Sequence, residues 1–517
     1  MDTTGGYVAQ IMSVLETNLK STVLSRRGQD VSAGEFVGAV DRVTDDLRAL
    51  GVGRGSVVAI LVAPNSPEMF YVRYAAHRLG AAVCHLRTTN PGSSARMLSA
   101  DAQLRMLIDT SASVLHADPE NAERARELAR RAPDRFVLTG FPGAGITRGA
   151  EPPQAAAEHG QPDVWDPQAL AIIAFTSGST GQPKGIRQSG RAWEGTVRAT
   201  MTAVTEPEPR MLVTTPLSHT VGPMADAVLA CGGMVVLLEE AEPDATLRAL
   251  ERHRITRTFV ATQHLYQLLD HERIDRTDLS ALRLLIYSGS AAAPARIAEA
   301  VRVFGFALVQ GYGTSEGGRI TLLDPGEHQD ETLRSTVGRP FPEVEIKVCD
   351  PDTGQEKPVG ETGEVWMRSP HVMDGYWNDP GLTAQVLRDG WYRTGDLGSL
   401  DDRGYLSLLD RLSDVVKTQG VKVYPAVVER EILALAPVAQ AAVFGVRDAD
   451  GAEHLHAALV ARPGARLDTE ALRAAVAGTL SPQHAPEVVH VLDELPLNAT
   501  GKPDKQRLRA LAPARTR

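Results

Sequence analysis

The densest chemistry in the sequence lies in one eleven-residue stretch, Phe175-Thr176-Ser177-Gly178-Ser179-Thr180-Gly181-Gln182-Pro183-Lys184-Gly185. Four hydroxyls, three glycines and one lysine fall within it. Glycines let backbone N–H groups approach phosphate oxygens, hydroxyls donate further hydrogen bonds, and the lysine balances charge. The stretch follows an apolar, strand-like run at 170–174. It reads as a polyphosphate loop, or from composition alone as a flexible Ser/Gly turn. It is not a Walker loop, because Gly185 rather than Ser or Thr follows Lys184.

Other chemistry-bearing strings stand at the ends of apolar runs. Pro216-Leu217-Ser218-His219 follows 211–215, Ser288-Gly289-Ser290-Ala291-Ala292-Ala293-Pro294 follows 284–287, and Gln310-Gly311-Tyr312-Gly313-Thr314-Ser315-Glu316 closes 307–310. The carboxyl end of a parallel strand faces the usual ligand crevice. Small side chains there let a flat ring lie against backbone, and they equally suit a tight strand–helix loop. Further on come Trp391-Tyr392-Arg393-Thr394-Gly395-Asp396, Asp410-Arg411, Lys417-Thr418-Gln419-Gly420 and Pro496-Leu497-Asn498-Ala499-Thr500-Gly501-Lys502.

In this order and spacing the strings resemble the motifs of the acyl-adenylate-forming (ANL) superfamily, which includes acyl-CoA synthetases, carrier-protein adenylation domains and firefly-type luciferases. The resemblance covers nearly the whole chain. It implies that Thr176, Ser177, Gly178, Ser179, Thr180, Gly181 and Lys184 hold the phosphates of ATP. It places adenine at Ser290, Ala291 and Ala292, with Gly311, Tyr312, Gly313, Thr314 and Ser315 completing the nucleotide site and Tyr312 stacking on the base. The family pattern here is Tyr-Gly-x-Thr-Glu; Ser315 stands at the usual threonine and keeps a hydroxyl. By the same resemblance Glu316 is the Mg2+ ligand, Asp396 accepts the ribose hydroxyls, and Arg411 contacts ribose and phosphate. His219 gates and positions the substrate carboxylate. Lys502 is the adenylation lysine, and Lys502, His219, Glu316 and Thr176 are the implied catalytic group.

Lys417 and Gly420 resemble the face that serves a later thioester step, with Gly420 along the pantetheine tunnel. Ser413 stands at the hinge, where relatives carry Asp or Lys, and the neighbouring Asp414 is the alternative pivot. Thr262-Gln263-His264 occupies a stretch that commonly reads Pro-Thr-Met. Gln263 and His264 either bond locally or line, with His219 and Gly311, a pocket for an aryl or polar acid.

The elements that must position these residues follow from periodicity. Residues 7–50 read largely as helices, since Phe36, Val40, Val43, Leu47 and Leu50 recur at steps of four and three. Runs at 57–62 and 81–86 flank a helix at 68–79, the strand–helix–strand pattern of a parallel sheet covered on both faces. A second series has strands at 211–215, 234–238, 258–261, 284–287 and 307–310. The Gly-, Pro- and Ala-rich segment 142–167 reads as a surface linker between two lobes. After residue 335, Val344, Ile346 and Val348 alternate with charged residues, as does the stretch around Val365 and Met367, which predicts a small antiparallel sheet or barrel. A last α+β unit begins near 412. The expected fold is α/β: a large N-terminal domain of two sheet lobes and a small barrel over 1–411, and a mobile C-terminal lid over 412–517.

Composition excludes several classes. With 517 residues the chain is long enough for about three domain-sized units. Hydrophobic residues at 43% and charged residues at 23% exclude a disordered or fibrous chain. The 54 basic and 64 acidic side chains leave a net charge of −10, which argues against a nucleic-acid binder. Cys84, Cys231 and Cys349 lack metal-ligand spacing and read as free thiols in a reducing compartment. No basic-then-apolar leader opens the sequence, and the longest apolar stretch, 227–238, is too short to span a bilayer. A cytoplasmic protein is expected. The basic residues of 505–517 read as a terminal helix and frayed end.

The implied activity is ATP- and Mg2+-dependent conversion of a carboxylic acid to an acyl-adenylate, releasing pyrophosphate, with transfer to the thiol of CoA. The alternative keeps adenylation and changes the acceptor or substrate, as in carrier-protein loading in trans or nitrite-dependent diazotization. A non-catalytic nucleotide-binding scaffold is opposed by the retention of Glu316, Asp396, Arg411 and Lys502. Oligomeric state is not readable.

Overall fold

Short aliphatic runs become fully covered strands: Val57–Leu61, Ala82–His85 and Val114–Ala117 are buried at every position, as a parallel sheet covered on both faces requires. The computed structural model describes residues 6–87, 98–142, 165–177, 183–239, 241–418, 420–448, 450–498 and 501–511. Among them, seven strands form one sheet in the order Gly375–Tyr376, Pro183–Ser189, Leu170–Ser177, Ala82–His85, Val57–Leu61, Val114–Ala117 and Val137–Thr139. Nine form a second, in the order Arg339–Pro340, Gly318–Leu323, Leu308–Thr314, Leu284–Ser288, Arg257–Ala261, Arg210–Val213, Met234–Leu237, Thr22–Arg26 and Gln29–Ser32. The inner strands of each sheet are parallel; antiparallel strands close both edges of the nine-stranded sheet and one edge of the seven-stranded sheet, whose other edge, Val137–Thr139, is parallel.

Helices Gly6–Glu16, Ala33–Ala49, Glu68–Arg78, Gly190–Met201 and Val221–Ala230 share one apolar cluster with strands of both sheets. Inside this layer Arg73 donates to both oxygens of Asp226, at 2.5 and 2.8 Å. Tyr74 and Trp193 donate to the same carboxylate at 2.7 and 2.9 Å. A buried charge pair is tolerated only with its remaining hydrogen-bonding capacity satisfied, and here it is.

Residues 7–50 hold the expected helices, Gly6–Glu16 and Ala33–Ala49, with an unexpected hairpin of Thr22–Arg26 and Gln29–Ser32 between them. Arg27 and Gly28 both take positive φ, 54° and 72°, the two-residue turn whose twist matches paired strands. Leu24 pairs in parallel with Val235, so a partner far along the chain holds this strand. The segment 142–167 does not join two lobes, because Val137–Thr139 before it and Leu170–Ser177 after it belong to the same sheet. Residues 143–164 lie outside the described residues. Trp165 packs against the body: its indole N–H donates to Glu194 at 2.6 Å, and its ring meets Tyr7 edge-on.

The alternating strands after 335 form the expected antiparallel sheet. Glu345–Cys349, Gly363–Arg368, Trp391–Leu400 and Leu387–Arg388 run in order, with Leu406–Arg411 also pairing Trp391–Leu400. The last unit holds the hairpin Val416–Thr418 and Val421–Val423, helix Pro425–Leu433, and a sheet of Val438–Arg447, Glu453–Ala461 and Val488–Val491. Helix Thr469–Thr479 joins them, and helix Lys505–Leu511 packs its Leu508 into the cluster around Phe444. Of the expected basic tail, 512–517 lies outside the described residues. Cys84 and Cys349 are buried, Cys231 is partly buried, and all three are free thiols. Among the described residues no helix is long and apolar enough to cross a membrane.

Candidate functional site

Four sequence-distant strings meet where the nine-stranded sheet adjoins the small antiparallel sheet. Asp396 and Arg411 stand opposite each other on paired strands. Arg411 Nε lies 3.1 Å from Asp396 Oδ1. The other carboxylate oxygen accepts a hydrogen bond from the Tyr312 hydroxyl at 2.6 Å. Burial and the Asp396 carboxylate push the Tyr312 phenol well up, so it stays a donor. Gly313 is required beside it: a Cβ there would stand 2.3 Å from the Gly318 carbonyl oxygen across the tight hairpin.

Glu316 lies in the turn of that hairpin. Its carboxylate accepts from the Tyr376 hydroxyl at 3.0 Å, and its backbone carbonyl accepts from Met373 N–H at 2.7 Å. Gln188 donates to the Ser315 carbonyl at 3.2 Å, tying the turn to strand Pro183–Ser189. On that strand Lys184 pairs in register with Thr176, and its ammonium lies 6.0 Å from the Tyr376 ring. Tyr376 therefore joins the base of the Ser/Thr/Gly loop to Glu316. Gly178, Ser179, Thr180 and Gly181 lie outside the described residues, as does Gln419.

The Ser288-to-Pro294 loop is stitched from beneath. Thr262 Oγ1 donates to the carbonyls of Ser288 and Ser290, each at 3.1 Å, and Ala293 N–H donates to the Tyr266 hydroxyl at 2.8 Å. Ala291 is exposed, Ser290 half-buried and Ala292 buried. Gly289 has φ +103°, and a Cβ built there would stand 3.4 Å from Lys502 Cε. Lys502 is held by a reciprocal pair with Asn498: its N–H reaches the Asn498 side chain at 3.1 Å, and its carbonyl accepts from Asn498 N–H at 2.8 Å. Burial, then repulsion from Arg411, lowers its ammonium to about 8 against the opposing pull of Asp396 and Glu316. Attraction to Asp396 raises Arg411. Lys502, Arg411, Asp396 and Glu316 thus act as one electrostatic group, although the small domain supplies the lysine.

His219 closes a turn, its N–H bonded to the Pro216 carbonyl at 3.1 Å, immediately before helix Val221–Ala230. Gln263 is buried, and its side-chain carbonyl oxygen has no hydrogen-bond partner among the described residues. His264 takes the local alternative: its ring nitrogens lie 3.0 Å from Thr246 Oγ1 and 3.3 Å from Gln267 Oε1. Burial lowers it to about 4, so it is neutral. It packs against helix Pro243–Arg252, which carries Thr246, and no ring nitrogen is left for an acid. Gly311 sits on strand Leu308–Thr314, its α-carbon facing Ile286.

Lys417 and Gly420 stand exposed on a small-domain hairpin, Gly420 at φ +80°. Lys417 N–H is bonded to Glu453 at 2.7 Å. Among the described residues no hydrogen bond or ion pair joins them to the Lys502 group. Ser413 is exposed, and its hydroxyl donates to Asp414 at 3.3 Å. Tyr376, which orients Glu316, and Tyr266, which with Thr262 holds the loop under Lys502, are not among the residues expected from sequence. Tyr376 has one signal, the aromatic pair Tyr376-Trp377 in a chain with only 5% aromatics.

Among the described residues no three His, Cys, Asp or Glu side chains form a metal cage. Mg2+ binds through one or two carboxylates plus phosphate oxygens and water, and an oriented Glu316 beside the Lys184 strand fits that mode.

Two family models match the chain: an AMP-binding enzyme over residues 13–377 and an AMP-binding enzyme C-terminal domain over residues 427–502. A medium/long-chain-fatty-acid–CoA ligase, FadD8 of Mycobacterium tuberculosis, is 32% identical over 97% of this chain and 89% of that protein. An indoleacetate–CoA ligase of Aromatoleum aromaticum is 33% identical over 94% of each. Among solved structures, the amide bond synthetase McbA of Marinactinospora thermotolerans has a TM-score of 0.83 at 36% identity, covering 98% of both chains.

Proposed function

The chain belongs to the AMP-binding enzymes, and from that membership we propose that it activates an aryl or polar carboxylic acid with ATP and passes the acyl group to CoA. That it is an adenylate-forming acid ligase rests on the family. The observation that carries the rest is Lys502, brought by the small domain against Gly289 and into the field of Asp396, Arg411 and Glu316. A carboxylic acid with a pKa of about 4 is already ionised near neutrality, so no general base is needed. The obstacle is bringing one anion to another. As the carboxylate oxygen bonds to the α-phosphorus, the bridge to the β-phosphate breaks and pyrophosphate leaves. The Lys502 ammonium offsets charge at that centre, and Lys184 does so along the loop. Mg2+ held at Glu316 would neutralise phosphate charge.

In the second step a thiol sulfur bonds to the acyl carbon, and AMP leaves with the former carboxylate oxygen. For this the small domain turns about the Ser413–Asp414 segment, withdrawing Lys502 and presenting Lys417 and Gly420. The unpaired carbonyl of Gln263 supports an acid carrying a hydrogen-bond donor, since a site built for a polar group discriminates strongly against analogues lacking it. A second reading replaces the thiol by an amine, because the 36%-identical structure covering 98% of this chain is an amide bond synthetase.

Pyrophosphate release across a panel of acids, with and without CoA or amines, and mass analysis of the product test these readings. An acyl-CoA from an aryl or hydroxylated acid is expected. Amide formation without thioester installs the second reading. Faster turnover of a long saturated fatty acid than of any aryl or hydroxylated acid overturns the pocket assignment.

A further inference from the structure

Besides bringing Lys502 to Gly289, the small domain packs on the large one along helices Thr262–Leu269 and Pro294–Phe304. Tyr266 and Ala293 of this surface are buried in the same apolar cluster as Val428, Ile432 and Val438 of the small domain. Beside that cluster lies a ring of four charges. Arg296 is fully buried and donates to Asp270 at 2.8 Å, to Glu299 at 2.6 Å and to the Tyr266 carbonyl at 3.0 Å. The fourth charge comes from the small domain: Arg462 donates to Glu299 at 2.8 Å and lies 3.8 Å from Asp270.

Three of the four charges belong to the large domain, where Arg296 bonds both carboxylates. It is immobilised against the face of Tyr266, 5.0 Å from the ring centroid, and fixes both carboxylates. Arg462 thus completes a ready-made cradle with little further ordering cost. Helix Thr262–Leu269, which carries Tyr266, shapes the loop that Lys502 rests on, through the bonds from Thr262 to Ser288 and Ser290 and from Ala293 to Tyr266. The Arg462 contact and the Lys502 contact with Gly289 are therefore two points of one domain orientation.

We infer that Arg462 is a positioning residue for adenylation: by closing the ring with Glu299 and Asp270 it holds the small domain in the orientation that delivers Lys502. This rests on the proposed two-step reaction with domain rotation. The ring belongs to the first orientation only, because rotation for acyl transfer carries Arg462 away from helix Pro294–Phe304. Loss of Arg462 should therefore weaken the first step and spare the second.

The test uses the full-length protein and measures two half-reactions separately: ATP–pyrophosphate exchange, and acyl transfer from supplied acyl-adenylate. The pair is a quarter exposed, which limits its worth, so Arg462→Ala is expected to lower the exchange rate by roughly five- to tenfold with little change in KM for ATP. Transfer from acyl-adenylate should be unchanged or faster, Arg462→Lys should recover part of the loss, and Glu299→Gln should reproduce it. Equal loss in both half-reactions, or no loss in either, overturns the inference. Lys502→Ala run in parallel separates the failures. If it abolishes exchange while Arg462→Ala leaves exchange intact, the positioning role alone falls; if it leaves exchange intact, the underlying reading falls.

Discussion

Two aspartate–arginine pairs, Asp226 with Arg73 and Asp396 with Arg411, show how the same chemistry serves opposite ends. In the first pair both side chains are all but sealed from solvent, at 0% and 2% exposure. Asp226 takes two bonds from Arg73 and one each from Tyr74 and Trp193, leaving no room for a ligand. In the second, Asp396 is 9% exposed but Arg411 is 53% exposed. Among the described residues, one bond from Tyr312 and one contact with Arg411 leave oxygen lone pairs and guanidinium N–H groups unused. A closed pair ties two helices together; an open pair beside Lys502 and Glu316 is equipped to receive a nucleotide.

The two pairs should respond oppositely to loss of the aspartate. Asp226→Ala leaves the Arg73 charge buried and unpaired, so denaturant unfolding should show about 3–5 kcal/mol lost. Removing the charge as well, in Asp226→Ala with Arg73→Met, should return much of that loss. A drop of under about 1 kcal/mol would mean the pair is not closed. Asp396→Ala should do the reverse. KM for ATP should rise by roughly ten- to a hundredfold, from about 1.5–3 kcal/mol of lost charged hydrogen bonding, while the unfolding midpoint barely moves. A destabilised Asp396→Ala protein with unchanged KM would erase the distinction.

The smallest effect is a pH dependence. Lys502 is lowered to about 8, by burial first, so its useful charge exists below that pH. kcat/KM for ATP, which reports the free enzyme, should fall about tenfold per unit above it. Stability moves the other way. From about 8 up to the unperturbed lysine value the unfolded chain binds the extra proton, so the cost of holding Lys502 charged is relieved as pH rises. A flat kcat/KM profile from pH 7 to 10 would place the ammonium outside the reacting group.

The strings that resemble nucleotide-binding motifs stand out because each packs its chemistry into a few consecutive residues. The parallel strands were legible because burial on both faces makes them continuously apolar. Asp226 was not legible, since a charge within an apolar helix carries no sign of its partner on another helix. The hairpin Thr22–Ser32 was missed because its parallel partner lies more than two hundred residues away. Tyr376 with Glu316 and Arg462 with Glu299 join positions 60 and 163 residues apart, beyond any local periodicity. Gln263 and His264 look alike in sequence, yet the helix at Thr246 engages one and leaves the other's carbonyl unpaired.

The central claim is that Lys502 carries the adenylation step from the open charged site. ATP–pyrophosphate exchange by Lys502→Ala, with an acid that the wild type accepts, tests it most directly. Exchange should fall about a hundred- to a thousandfold, with acyl transfer from supplied acyl-adenylate and the unfolding midpoint both retained. Exchange at the wild-type rate would contradict it.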